Sequence, residues 1–151
     1  QEDSAQNIYN HPGSLFVAGF FGTPRMNLSI AKVTEENGSV VLKFSSGTIP
    51  LSEKKGKLLR ELGYVGKEVF TGVRPDKVAP AKNGENGEIT GELIGGEEID
   101  DAPYIRFRVG ENEFLAKAEG GENLTGKKMS FKISGDNVYL FDKETEKIIA
   151  E

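Results

Sequence analysis

From Met26 onward, apolar and polar residues alternate in short runs broken by turn residues, a period of two that predicts strands. Asn27 to Thr34 reads as the first, with Leu28 and Ile30 inward and Val33 as a further inward position. Glu36-Asn37-Gly38 is a hairpin signal, Val40 to Phe44 returns, and Ser45-Ser46-Gly47 turns into Thr48 to Leu51. Ser52 then stands where an N-cap belongs, ahead of a helix with Leu58, Leu59 and Leu62 on one side, Gly63 at its C-terminal end and the basic residues outward. This helix is expected to plug one mouth of a barrel. Glu68 to Val73 resumes strand and Arg74-Pro75 breaks it; Lys82 to Gly87 is a polar loop that marks a seam near 75–87. Further strands are expected at Glu88 to Ile94, Tyr104 to Val109, Glu113 to Ala118, Lys128 to Ile133 and Val138 to Phe141, with a tail at Ile148-Ile149. Gly110-Glu111-Asn112 joins two of them, and Gly95-Gly96 and Gly120-Gly121 are expected bends or bulges.

The stretch before Met26 has a different character. Ser4 to Asn10 reads as a short helix ending before Pro12, and Ser14 opens a second, Leu15 to Phe21, which is apolar on nearly every side and therefore expected to be buried, against its own β-domain or a missing neighbour. The predicted organisation is a helical tail over 1–25 and an OB-type domain over 26–151, in two β-segments. The fold class is mainly β: an OB-type barrel or sandwich of short strands with one inserted helix. Because the chain enters a helical pattern almost at Gln1, without an initiator Met, it is expected to be part of something longer.

Composition narrows the chemistry. A chain of 151 residues is long enough for one main core, and 19 glycines favour a turn-rich domain. There is no Cys, which removes disulfides and thiolate metal sites. A net charge of -5 argues against binding phosphate backbones, although Lys54, Lys55, Lys57 and Arg60 form a basic cluster and Glu85 to Asp101 is strongly acidic. Both read as solvated surfaces. No apolar run approaches the roughly 20 residues that cross a bilayer.

Catalytic motifs are missing from the sequence. There is no G-x-x-x-x-G-K-[ST] loop to cradle phosphates, Gly66-Lys67 being followed by Glu68, and no G-x-S-x-G elbow. A single His, His11, beside Pro12, rules out two-histidine metal motifs and reads as a surface residue. Glu97-Glu98 and Asp100-Asp101 are abundant carboxylates with nothing to separate their pKa values, so solvated loops are expected. Tyr104, Arg106, Phe107 and Arg108 are the best candidates for a base-stacking face, yet Tyr104 and Phe107 have opposite strand parity.

Read together, Ile8-Tyr9-Asn10-His11-Pro12, Leu15-Phe16-Val17-Ala18-Gly19-Phe20-Phe21-Gly22 and Pro24-Arg25-Met26-Asn27 resemble the junction IY-x-x-P, FVA-x-F-I-G, P-x-MN of sugar-importer ABC ATPases of the maltose and glycerol-phosphate type. Gly72-Val73-Arg74-Pro75-Asp76 is similar to that family's G-[IV]-R-P-E element, Glu92 to Glu97 to its E-x-L-G-x-E turn, and Leu140 to Thr145 to its closing H-x-F-D-x-x-T strand. Asp3 and Asn7 stand where the family has Gly and Glu, Leu51 to Gly66 is weakly matched, and Phe21 and Asp76 replace the commoner Ile and Glu.

The resemblance implies a transport-associated OB (TOBE-like) regulatory domain at the C-terminal end of the ATP-binding subunit of a carbohydrate importer, itself without catalytic residues. The parent would couple ATP hydrolysis to solute import, with ATP and Mg held in the absent nucleotide-binding domain and no cofactor in this chain. Implied partners are a second copy, its own nucleotide-binding domain and, indirectly, the membrane permease subunits, with no nucleic acid; the implied location is the cytoplasmic face of the membrane. Phe16, Val17, Phe20 and Phe21 offer an apolar surface for such a neighbour. Met26, Asn27, Arg74 and Asp76 are candidate interface or regulatory residues, against plainer readings of a strand start for the first two and of a Pro75-fixed bend with an ion pair for the others. The alternative is a free-standing OB-fold module for an oligosaccharide, an oxyanion or single-stranded nucleic acid.

Overall fold

Alternating patterning and tight turns carry the described residues through eleven strands in a single antiparallel sheet. The computed structural model describes residue 14 and residues 25–81, 87–118 and 128–151. Within these the strands are β1 (Asn27–Glu36), β2 (Ser39–Phe44), β3 (Gly47–Pro50), β4 (Glu68–Val73), β5 (Ala79–Pro80), β6 (Ile89–Ile99), β7 (Ala102–Val109), β8 (Asn112–Lys117), β9 (Lys128–Lys132), β10 (Val138–Asp142) and β11 (Ile148–Ala150), with helix α1 (Glu53–Glu61) between β3 and β4. The hydrogen-bonded order is β11-β10-β4-β1-β2-β3-β6-β7-β8, and β9 pairs with both β5 and β6. The expected mainly β, OB-type architecture is what forms. The helices expected before Met26, most of the 82–87 loop and the Gly120-Gly121 bend lie outside the described residues.

Local chemistry accounts for the connections. Asn37 and Gly38 both adopt positive φ, 54° and 81°, the two left-handed positions a tight hairpin needs to match strand twist. Asp100 and Asp101 do the same between β6 and β7, at 51° and 64°. The β6–β7 register shifts between Leu93 and Gly95, a bulge at the predicted glycine pair. Gly47 sits where β3 and β6 meet: a Cβ there would collide with the Glu88 carbonyl oxygen, which accepts from the Thr48 amide at 3.1 Å.

The core runs through both halves of the sheet. Val33, Leu42, Ile49 and Leu59 join Ile89, Ile105, Phe107 and Phe131 in one buried cluster. Phe107 stacks on Phe131 with ring centres 3.7 Å apart and meets Phe114 edge-on at 5.7 Å. Strand β1 buries the face opposite to the one expected from its largest side chains. Asn27, Ala31 and Val33 are its buried positions, whereas Ile30 is 41% exposed. Leu28 packs instead with Met26, Phe70, Tyr139, Phe141 and Ile148, a second cluster apart from the main core. Side-chain size misled here because a small barrel alternates large and small inward residues to fit its interior, and Ala31 is one of the small ones.

Helix α1 begins as expected, with the Ser52 hydroxyl accepting the Lys55 amide at 3.2 Å. Two expectations about its faces need correcting. Leu62 is the C-cap residue, just beyond the last helical residue Glu61, and is 54% exposed. Lys55 points inward and is only 8% exposed, because it shares the helical face of Leu58 and Leu59 at three- and four-residue spacing. Only Lys54, Lys57 and Arg60 keep the basic cluster outward.

Candidate interface at the ends of strands β1, β4 and β8

Three of the candidate residues converge because of strand register. β1 and β4 are antiparallel with Asn27 opposite Val73, so the residues just beyond, Met26 and Arg74, also face each other. Val73 in turn lies opposite Val138 of β10. Met26 is buried against Phe141, Leu28 and Tyr139, and Gly72 leaves room for its thioether. Arg74 is buried, with its guanidinium carbon 6.0 Å from the centre of the Tyr139 ring, a cation–π contact. It stands at the N-cap of the 3-10 turn Pro75–Lys77, whose fixed proline φ ends β4. Asp76, in that turn, is exposed. Phe16, Val17, Phe20 and Phe21 lie outside the described residues.

Asn27 does more than start a strand. Its Oδ1 accepts the Leu115 amide at 2.8 Å and its Nδ2 donates to the Leu115 carbonyl at 2.8 Å. One carboxamide thus satisfies both polar groups of a residue in β8, as a neighbouring strand would. The Lys117 amide, two residues on and pointing the same way, donates to the Val78 carbonyl at 3.1 Å. Beside this junction lies a cleft of about 260 Å³ lined by Arg25, Glu97, Arg106, Glu113 and their neighbours.

On the other side of β4 from Asn27, where Val138 pairs with Val73, the Lys55 ammonium donates to the carbonyls of Gly135, Asp136 and Val138 at 2.8, 3.3 and 2.7 Å. Burial pulls its pKa down from 10.5 to about 8, against the pull of Asp136 and Glu151. Within Lys54-Lys55-Gly56-Lys57, only the helical spacing to both Leu58 and Leu59 singles out Lys55, and that spacing was legible in the sequence. The Tyr64 hydroxyl donates to Asp142 Oδ2 at 2.6 Å, while Asp142 Oδ1 accepts the amides of Glu144 and Thr145. No pattern marks that pair, whose members lie 78 residues apart.

The surfaces that would serve other chemistry are occupied. Phe107 lies in the core, and Arg106 pairs with Glu113 at 2.6 Å and approaches Glu97 at 3.9 Å, so β7 presents no base-stacking face. Gly66-Lys67 cannot cradle phosphate. The Gly66 amide donates to Val33 and the Lys67 amide to Tyr64, which leaves neither for an anion, and the next residue is Glu68. The Gly66-Lys67 pair thus offers no free amide to a phosphate; Gly121 to Lys127, which has the G-x-x-x-x-G-K spacing with Lys128 in place of Ser or Thr, lies outside the described residues. Among the described residues no group of three or more His, Asp or Glu is placed to hold a metal ion, and no helix is long and apolar enough to cross a membrane.

Residues 22–78, which include β1 to β4, α1 and the Arg74 turn, match the family model of the MalK OB fold domain. Over those residues the chain is of the MalK OB fold type. Along nearly its whole length it is also similar to curated proteins. These include the Oligosaccharides import ATP-binding protein MsmX of Bacillus subtilis, 28% identical over 97% of this chain and 40% of that protein. The Trehalose/maltose import ATP-binding protein MalK of Thermococcus litoralis is 32% identical over 99% of this chain and 41% of that protein. The Multiple sugar-binding transport ATP-binding protein MsmK of Streptococcus mutans is 29% identical over 99% and 40%. The chain thus spans about two fifths of the length of the curated relatives it matches.

Proposed function

We propose that this MalK-type OB domain is the regulatory part of the ATP-binding subunit of a carbohydrate ABC importer and does not itself hydrolyse ATP. The observation that carries the reading is similarity over almost the whole chain to sugar-import ATP-binding proteins of which it spans only two fifths. The sequence supports the non-catalytic half, since no G-x-x-x-x-G-K in it is followed by Ser or Thr: Gly121 to Lys127 keeps the spacing but runs into Lys128, which has no hydroxyl for Mg.

In this reading ATP and Mg are held by a nucleotide-binding domain in the same polypeptide, and the working partners are that domain, a second copy of the subunit and the membrane permease subunits. The subunit works at the cytoplasmic face of the membrane. Met26, Asn27, Arg74 and Asp76 serve it by fixing how the chain enters the barrel and where β4 turns, with Asp76 the exposed member available to a partner.

Two measurements test this. The purified chain should turn over no ATP above buffer in the presence of Mg, and turnover at a rate typical of an enzyme overturns the non-catalytic half. An antibody raised against the chain should detect, in the source cell, a product of more than twice its 16.4 kDa mass. A product of the chain's own size overturns the importer reading.

A further inference from the structure

Strand β8 has β7 on one side and, on the other, no backbone ladder to β1. The barrel closes there through the Asn27 carboxamide, with a marginal 3.5 Å contact from Asn112 to Ser29 and the single Lys117 to Val78 bond beyond it. We propose that Asn27 is a latch that makes the β1–β8 joint a separable closure of the barrel, able to open without loss of the β1–β4 or β7–β8 ladders.

Three observations carry this. The first is that both bonds come from one side chain, so a single χ rotation breaks them together, whereas a ladder must lose its pairs in series. Second, the adjoining cleft gives the β1–β8 seam an open flank lined by charged residues that water can solvate when the joint parts. The third is that the Leu115 peptide and the Asn27 carboxamide are both polar, so each gains water when the latch opens, and the net value of the pair is that of two ordinary hydrogen bonds.

Amide hydrogen exchange, read by NMR on the full chain, tests the proposal. In Asn27→Leu, which keeps bulk and loses both bonds, the Leu115 amide should exchange about tenfold faster. Amides of Phe114 and Ala116, which point toward β7, and those across β1–β4 should change less than about threefold. An unchanged Leu115 overturns the proposal by showing that packing holds the joint. Equal acceleration at every site overturns it by showing that Asn27 guards global stability alone.

Asn27→Asp supplies a second readout. As a carboxylate it accepts the Leu115 amide but meets the Leu115 carbonyl with negative charge; protonated, it accepts and donates as the carboxamide does. Leu115 protection relative to the parent chain should therefore return as pH falls through the carboxyl's pKa. Protection that is independent of pH counts against the latch. The outcome does not depend on the importer reading, which stands or falls on product size and ATP turnover.

Discussion

Strand β1 meets β4 through six paired residues, from Asn27 opposite Val73 to Lys32 opposite Glu68, and meets β8 chiefly through the side chain of Asn27. A ladder spreads its hold over many backbone bonds that are lost only together with strand structure. A side-chain joint concentrates it in one rotamer. The barrel uses the second device elsewhere too, since Lys55 ties α1 to the Gly135–Asn137 turn through three carbonyls much as Asn27 ties β1 to β8. A third junction, β3 against β6, depends on close approach: one register pair, Gly47 opposite Ile89, and no room for a side chain. These joints differ in what must fail for the barrel to open there.

The largest effect is expected where no relaxation is available. Gly47→Val drives a branched side chain into the Glu88 carbonyl, which sits in the backbone of β6, and should cost about 3 kcal/mol or more in denaturant unfolding. A loss near zero would mean that the β3–β6 junction yields as readily as the side-chain joints. Next is Lys55→Met, which fills the same volume but leaves the carbonyls of Gly135, Asp136 and Val138 without a donor, at about 2 kcal/mol. Its pH dependence sharpens the case. Because the folded pKa is lowered to about 8, the unfolded chain holds more protons between there and 10.5, so the parent's stability should rise across that window. In Lys55→Met that rise should vanish. Asn27→Leu is expected to cost less, about 1 kcal/mol, since opening at Leu115 admits water to both partners.

Legibility in the sequence followed the range of the interaction. The strands and α1 were readable because alternation, capping and turn residues are local, and the Asn37-Gly38 hairpin was explicit. The burial face of β1 was not, because Ala31 points inward where Ile30 is the more apolar side chain, and that choice is made by the barrel rather than the strand. The candidate site divides likewise. Arg74 before Pro75 announced a bend, and Met26-Asn27 a strand start, but the Asn27 to Leu115 bonds span 88 residues and leave no periodic trace. Lys55 was concealed among outward lysines, although counting three and four residues on to Leu58 and Leu59 finds it.

The smallest expected effect lies at the surface, where a third side-chain tie joins the end of α1 to β10. Tyr64 donates to Asp142, holding that carboxyl down at about 2 and raising its own phenol to about 12. The depressed carboxyl contributes stability that is present above its unfolded pKa and lost as pH falls toward 2. The raised phenol contributes stability that is present below 10 and lost as pH climbs toward 12. The bond therefore acts across the neutral range and fails at both extremes. Tyr64→Phe should return the Asp142 carboxyl only part of the way to its ordinary range in an NMR titration, because the amides of Thr145 and Glu144 still hold its other oxygen. Full return would assign the whole depression to Tyr64, and no movement would mean that the turn amides set it. Because water reaches both partners, the change in unfolding midpoint should fall below that of Asn27→Leu, in line with a scale on which ties weaken as solvent can replace them.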